Sequence, residues 1–310
     1  MGAMGGWRVR RAGGLAALCL LTLVACARPD GIDGDLTDDW SALPVPRSTV
    51  PAVGQCLQGT VNSWTFVEPP LSSADCSAPH TLEVVHVGRF STATEEASAP
   101  PPHDSDETRT AYAQCDKAAR EYVGGDWHDG QMFLHYSPPT GPKWQDGARS
   151  FFCSLIETGG MRGNGRSRTG SLKGALGGDR PLAKRCYNEK GTVDADGFYE
   201  PVEDSLPVDC GTAHNAEYAG TYVPPDLVYP SSAEALSRMQ LDGCEQVVAG
   251  FLGLSSSALN DRAEVGWRAW GQDKYWWPVG ERGITCFVLV PANLPVRGSL
   301  RQLGTRPLPR

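Results

Sequence analysis

The chain has 310 residues, of which 40% are hydrophobic, and a formal net charge of -8 at pH 7. This length is enough for two ordinary domains, each with a core of its own. The acidic balance disfavours binding to nucleic acid or to an anionic membrane surface, because both repel negative charge. We therefore expect a folded protein with no nucleic-acid partner.

The first 25 residues have the pattern of a lipoprotein signal peptide. Three arginines precede an apolar run, Leu15 to Val24, that is too short to span a bilayer. The triplet Leu-Val-Ala then stands directly before Cys26, and this arrangement resembles the lipobox of bacterial lipoproteins, in which the cysteine is lipidated. We expect cleavage after residue 25 and an extracytoplasmic lipoprotein on the outer face of the cell membrane. A secretory signal with an incidental cysteine is the alternative.

The rest of the chain divides by composition. Residues 26–52 are rich in Asp, Gly, Pro and Ser, which predicts a disordered tether. Two predicted domains come next, residues 53–176 and residues 180–303, and residues 304–310 form a short tail. In the first domain, residues 91–106 contain three consecutive prolines and several acids, which predicts a surface loop that the second domain lacks.

Eight cysteines lie beyond the signal region. An even number of cysteines in an oxidising compartment predicts disulfide bonds. The four cysteines of the first domain recur in the second at offsets of 130, 134, 129 and 133 residues. Four cysteines allow three pairings, and we favour first with second and third with fourth in each domain. The eight are Cys56, Cys76, Cys115, Cys153, Cys186, Cys210, Cys244 and Cys286.

Residues around these cysteines also repeat, which indicates a duplication. The segment DCSAPHTLE at residues 75–83 recurs as DCGTAHNAE at residues 209–217, and a Gly-Ser-Leu-basic motif closes each copy. A Trp-x2-Gly-x-Arg-x3-Cys motif also occurs once in each copy. Two homologous domains of about 125 residues explain this pattern. The residues of the third motif are Trp144, Arg149 and Cys153 in the first copy and Trp277, Arg282 and Cys286 in the second.

The local patterns predict one main helix and several strands in each domain. Apolar residues recur every three to four positions around Cys115 and Cys244, and Ser231 with Glu234 forms a capping box before the second helix. The segments LEVVHVGRF, RSFFCSLI and GITCFVLV are rich in β-branched and aromatic residues, which favours strands. We expect an α+β fold of two tandem homologous domains, each a mostly antiparallel sheet with one main helix pinned by disulfides.

The repeated His and Glu residues have two interpretations. His80 with Glu83, and His214 with Glu217, would be a zinc or acid-base site in an enzyme. However, zinc takes three or four protein ligands, and the cysteines that would complete its shell are expected in disulfides. We favour a structural role, in which His bonds to the backbone or to the motif arginine and Glu caps or pairs with an arginine.

Tryptophans provide the candidate binding surface. Trp267, Trp270 and Trp276 have no counterpart in the first domain, and exposed Trp side chains are enriched in binding hot spots. Core packing of these three is the alternative. Trp144 and Trp277, which repeat, are expected to pack in the core beside the disulfides.

No arrangement of nucleophile, base and acid stands out. The chain has no Gly-x-Ser-x-Gly motif, and His103 and His128 lie in polar segments for which the sequence predicts no partner. Acidic residues are numerous, so paired acids of the glycosidase kind stay open. We predict no catalytic residue, no metal and no cofactor.

The order of these motifs resembles the septum-formation domain family of actinobacterial envelope proteins. The resemblance covers nearly all of residues 53–302, in two copies. It implies a secreted protein, tethered by lipid or by a membrane segment, with a part in assembling the division septum. It implies no catalytic residue or cofactor. Ala213 replaces the proline that precedes the histidine in the first copy, which affects only the turn there.

We therefore expect a non-enzymatic, lipid-anchored protein of the cell envelope. It would contact the membrane through its lipid and bind an envelope protein, a cell-division protein or peptidoglycan during septum formation. The alternative is a cell-wall hydrolase or metal-dependent enzyme that uses the repeated His/Glu pairs.

Overall fold

A computed structural model of the chain describes residues 50–59, 71–160, 164–226, 228–271 and 274–310. The predicted signal peptide, the lipidation site Cys26 and nearly all of the tether lie outside the described residues. None of the described helices combines the length and the apolar composition needed to cross a membrane.

The first half of the structure forms an antiparallel sheet with strand order β2-β1-β3-β5-β4, and a short sixth strand pairs with the end of β5. A 3-10 turn, Trp127–Asp129, leads into β4. The elements are β1 (Cys56–Gln58), β2 (Ser72–Ala74), β3 (Leu82–Arg89), α1 (Thr92–Glu95), α2 (Asp106–Val123), β4 (Met132–Ser137), α3 (Gly141–Gln145), β5 (Ser150–Gly159) and β6 (Asn164–Gly165).

The second half forms a five-stranded antiparallel sheet with strand order β8-β7-β9-β11-β10. A second 3-10 turn, Trp277–Val279, precedes β11. The elements are β7 (Cys186–Val193), β8 (Tyr199–Val208), β9 (Ala216–Tyr222), α4 (Ala233–Leu252), α5 (Ser256–Asn260), β10 (Gly266–Trp270) and β11 (Ile284–Leu289).

The two sheets share a central register. Cys56 on β1 pairs with Glu83 on β3, and Cys186 on β7 pairs with Glu217 on β9. The pairings β3 with β5 and β9 with β11 each contain one register shift, which is the mark of a β-bulge. The order of the five main strands is also the same in both sheets. The protein is therefore an α+β fold with antiparallel sheets, as the sequence predicts.

Each half contains one long helix that packs against its own sheet. Both helices end at a glycine in the left-handed region, Gly124 with φ 77° and Gly253 with φ 73°, which is the common way to close a helix. The N-cap of α4 is Ser232, whose hydroxyl accepts the backbone N–H of Ala235 at 3.1 Å. The sequence predicts the N-cap at Ser231, and this position was wrong by one residue.

Four disulfides pin these elements together. In each half, one bond joins the first strand to the turn after the second strand, and the other joins the long helix to the last long strand. Closing loops of 20 to 42 residues stabilises the fold by roughly 3 to 4 kcal/mol per bond in the chain-entropy description. The pairing agrees with the one favoured from sequence: Cys56–Cys76, Cys115–Cys153, Cys186–Cys210 and Cys244–Cys286.

The two halves are packed together. The described residues from 50 to 310 belong to a single compact unit. The side chains of Trp276 and Val279, from the second half, belong to the hydrophobic core of the first half. The connecting segment also pairs with the first half, since the backbone N–H of Gln131 donates to Leu182 O at 2.7 Å.

Candidate functional site

The repeated glutamate anchors the closing loop of its own half. Glu217 accepts hydrogen bonds from Ser299 Oγ at 2.5 Å and from the backbone N–H of Leu300 at 2.7 Å. Glu83 accepts the equivalent bonds from Ser171 Oγ and from the N–H of Leu172. Both acceptors are charged groups buried in the structure, so these bonds are strong. Of the two roles expected for Glu, capping a backbone N–H or pairing with an arginine, the described residues show the bond to a backbone N–H.

Tyr122 of α2 adds a third donor to Glu83, because its hydroxyl also bonds to that carboxylate. Burial and this hydrogen bond to Glu83 raise the pKa of Tyr122 to about 12. The carboxylate thus links strand β3, helix α2 and the closing loop.

The repeated histidine lies at the entry to the third strand and is fully buried in both halves. Nδ1 of His80 is 2.9 Å from Ala78 O, and Nδ1 of His214 is 2.9 Å from Thr212 O. Nε2 of each ring has no hydrogen-bond partner among the described residues. The histidines therefore bond to the local backbone, which is one of the two contacts expected from the sequence.

Ligand atoms of Cys56, His80 and Glu83 lie within 4.8 Å of one another. However, Cys56 is bonded to Cys76, and both oxygens of Glu83 already accept hydrogen bonds. A zinc ion takes three or four protein ligands, so the oxidised protein does not supply a zinc shell at this place.

The motif arginines differ between the halves. Arg149 donates to three backbone carbonyls, those of Glu95, Trp144 and Ala148, and its guanidinium stacks 4.1 Å above the Trp144 ring. Arg282 donates to one, Pro225 O at 2.8 Å, while its Nε is buried without a partner among the described residues.

The predicted tryptophan surface is only partly exposed. Trp276 is fully buried and packs edge-on against Phe133 of the first half, with ring centroids 5.2 Å apart. The prediction that it forms an exposed binding surface was wrong, because it fills the core at the junction. Trp267 and Trp270 are half-buried and pack against the cores of their own sheet. The repeated Trp144 and Trp277 are both buried.

A buried ionic cluster joins the two halves. Glu281, in the loop before β11, accepts the hydroxyl of Tyr112 at 2.9 Å, Nε2 of His128 at 3.1 Å and the backbone N–H of Gly283 at 3.0 Å. His128 Nδ1 is bonded in turn to Asp126 at 2.8 Å. Tyr112, His128 and Asp126 belong to the first half, so Glu281 is one of the residues that connect the second half to it.

These contacts set the protonation of the cluster. Burial alone would lower the pKa of His128, but the charge of Glu281 and the hydrogen bond with Asp126 outweigh burial and raise this pKa to about 9. Burial would raise the pKa of Glu281, and the facing His128 instead holds it below its usual value. A charged imidazolium therefore sits between two carboxylates at neutral pH.

A second contact lies beside this cluster. The ammonium of Lys184 donates to His128 O at 2.8 Å, and Tyr218 of β9 donates to Asp129 at 2.8 Å. Burial lowers the pKa of Lys184 to about 8, although Asp129 and Glu281 act in the opposite direction. Tyr218 thus ties the second sheet to the turn that carries His128.

A cleft of about 260 Å³ opens above the ionic cluster. One wall is helix α2 with the turn that holds His128, and the other is the segment Val279–Gly283 together with Val223. Three arginines reach it, Arg109 and Arg120 from the first half and Arg282 from the second. Concave sites with a few placed charges are where small ligands bind, so this cleft is the candidate functional site.

His128 and His103 each have a partner that the sequence did not predict. His128 bonds to Glu281, which is 153 residues further along the chain. His103 stacks on Tyr275, with ring centroids 4.3 Å apart. Both contacts cross between the halves, so no local motif could indicate them. When the two halves are aligned, Glu281 stands at the position of Ala148. This difference was the signal in the sequence that could have indicated the contact with His128.

No curated protein and no solved structure matches this chain. The family model described as "Septum formation" matches residues 53–286, which is well over half of the chain. The four disulfides fit an extracytoplasmic protein, as does this family. The chain belongs to the septum formation family.

Proposed function

We propose that this protein is a non-enzymatic component of septum formation that is anchored in the cell envelope through a lipid on Cys26. It binds an envelope component through the cleft between its halves. Support comes from the family membership and from four disulfides, which are stable in an oxidising compartment. The motif Leu-Val-Ala-Cys supports the lipid anchor.

The two halves are tandem copies of one ancestral domain in this proposal. Three features support a duplication. The main strands have the same order, the paired cysteine and glutamate have the same register, and the disulfides are equivalent. In each copy the repeated His and Glu hold the strand entry and the closing loop, and we assign them no catalytic role.

The cleft at the junction between the two halves is the main observation that supports the proposal. The cleft has one wall from each half, and the Glu281 carboxylate at its floor accepts three hydrogen bonds. A satisfied buried network is rigid, and a rigid wall favours binding because less entropy is lost. A site of this kind exists only when two copies are joined.

Live-cell imaging tests the proposed role in septum formation. A fluorescent fusion of the full chain, followed through the division cycle, is expected to concentrate at the septum. Its depletion is expected to delay or misplace septa. A uniform signal around the envelope together with normal septa would refute a role in septum formation.

Metabolic labelling tests the anchor. Cells fed a fatty acid with an alkyne tag are expected to label the wild-type protein and to leave Cys26→Ala unlabelled and released from the membrane. Cys19→Ala, a second cysteine in the signal region, is the matched control and is expected to label normally. Equal membrane retention of Cys26→Ala would contradict a lipid anchor.

A further inference from the structure

We propose that the cleft binds the free carboxylate of a peptide that ends in a small apolar residue, and that Arg282 is the residue that holds this carboxylate. The proposal rests on the proposed function and names the chemistry of the ligand. Two sources share this chemistry, the D-alanine end of a cell-wall stem peptide and the C-terminus of a protein.

The two copies of the motif arginine give the first argument. Arg149 donates to three backbone carbonyls and stacks on the Trp144 ring, so its hydrogen-bond donors are used within the first half. Arg282 uses one donor, at an exposed hydrogen bond, and has no ion-pair partner in the described part of the chain. A guanidinium presents five donors in a planar fork that matches a carboxylate. Arg282 is therefore the motif arginine whose remaining hydrogen-bond donors can bind a ligand.

The other charged groups at the cleft are already paired, which sets the charge of the ligand. Arg120 is paired with Asp116 and Asp126, and Arg109 is paired with Asp106. Glu281 accepts three hydrogen bonds and pairs with His128. Among the described residues of the cleft, Arg282 alone is left with an unpaired positive charge. It suits a monoanion such as a carboxylate better than a phosphate dianion, which the neighbouring carboxylates would repel.

The shape of the cleft limits the size of the residue that bears the carboxylate. Val223, which is 52% exposed, and Val279 give the walls an apolar part. Gly280 has no side chain, and a Cβ built there would meet nothing within 4 Å, so the space next to Arg282 is open. The volume of about 260 Å³ is below the range of drug-sized pockets. One or two small residues such as alanine fill a site of this size.

Binding can be measured by saturation-transfer NMR on the full mature chain. The probes are acetyl-D-Ala-D-Ala and acetyl-L-Ala-L-Ala, each as the free acid and as the C-terminal amide. We expect at least one acid to bind with a dissociation constant of about 1 mM or lower. We expect its amide to bind at least about tenfold more weakly, because the charged hydrogen bond is lost. Preference for the D-form indicates the cell wall as the source, and preference for the L-form indicates a protein.

Two variants locate the site. Arg282→Gln is expected to weaken binding of the acid by about tenfold or more, and to abolish the difference between acid and amide. Arg297→Gln removes the same charge from an exposed arginine away from the cleft lining and is expected to leave binding unchanged. Circular dichroism of both variants checks that they fold. If Arg282→Gln does not fold, the comparison of acid with amide on the wild-type protein still decides.

Absence of binding for both acids, equal binding of acid and amide, or equal effects of the two variants would overturn the proposal. Its failure is distinct from failure of the proposed function. A protein that concentrates at the septum but ignores these carboxylates keeps its role in septum formation and loses only this ligand.

Discussion

The same arginine has different surroundings in the two halves. In the first half, the segment that contains α1 lies over the motif, and its carbonyls at Glu95 and Ala97 accept bonds from Arg149 and Trp144. The second half lacks that segment. There Pro225 and Asp226 accept one bond each, from Arg282 and from Trp277. The motif arginine is covered by this segment in the first half, whereas Arg282 in the second half lines the cleft.

This difference shows that two halves with the same motif can differ in what surrounds it. The disulfides, the backbone bond of the histidine and the serine and backbone bonds of the glutamate are the same in both halves, although Glu83 also accepts a bond from Tyr122. At the junction, by contrast, Glu281 and Trp276 stand where the first copy has Ala148 and Lys143. Two residues that differ between the halves, Glu281 and Trp276, therefore contribute to the contact between them.

The largest expected effect comes from the junction. Trp276→Ala removes a fully buried side chain that fills the core of the first half. Substitutions of this kind cost about 3 to 5 kcal/mol. Urea unfolding should show that loss, and Trp267→Ala, at a half-buried ring, should cost clearly less. Equal losses would mean that Trp276 does not join the halves.

The ionic cluster predicts a pH dependence of stability. The pKa of His128 is about 9 in the folded protein, above its ordinary 6.5, so its contribution is fully present below pH 6.5 and is lost as pH rises through 9. Lys184, whose pKa is lowered to about 8, acts in the opposite direction between pH 8 and 10.5. Between pH 6.5 and 8, below the range in which Lys184 has most of its effect, we expect the His128 contribution to fall by about 2 kcal/mol.

Urea unfolding at both pH values measures this loss. Glu281→Gln removes the charge that raises the pKa of His128, so the variant should lose much less stability over the same interval. The same pH dependence in both proteins would mean that His128 and Glu281 are not coupled across the junction.

The repeated carboxylates are the feature in which the two halves are most alike, apart from the added bond from Tyr122 to Glu83. Glu83→Gln and Glu217→Gln each weaken charged hydrogen bonds to a serine and a backbone N–H. Each change should cost about 1 to 3 kcal/mol in unfolding experiments. A large cost in one half alone would indicate that the two motifs have separate roles.

The smallest expected effect is the difference in stability between lysine substitutions of the two motif arginines. Arg149→Lys loses the planar fork that bonds to three carbonyls and should cost about 1 to 2 kcal/mol. Arg282→Lys loses one such bond and should cost about 0.5 kcal/mol or less. Thermal unfolding of the pair measures the difference. A larger cost for Arg282→Lys would show that this arginine supports the fold instead of a ligand.

Local signals in the sequence were sufficient for much of the fold. The cysteine spacing predicts the disulfides, the periodicity around Cys115 and Cys244 predicts the long helices, and the β-branched segments predict the central strands. The repeated His and Glu were expected to be structural, although the donors to Glu are a serine and a backbone amide and not an arginine. Each of these features depends on contacts within one copy.

The cleft was not predictable in the same way. Its residues come from α2, from the turn at His128 and from the loop at Glu281, which are far apart in the chain. Polarity around His128 looks like an exposed loop in the sequence, because the carboxylate that faces it belongs to the other copy. Trp276 was misassigned for the same reason, since the core that buries it is not its own.

Photocrosslinking in dividing cells tests the central claim, that the junction between the copies binds an envelope component. Benzoylphenylalanine replaces Val223 at the cleft, which is 52% exposed, or Leu206 on β8, which is 45% exposed and lies outside it. We predict a specific adduct with peptidoglycan or an envelope protein from position 223 and none from position 206. Equal adducts from both positions, or an adduct from position 206 alone, would contradict the account.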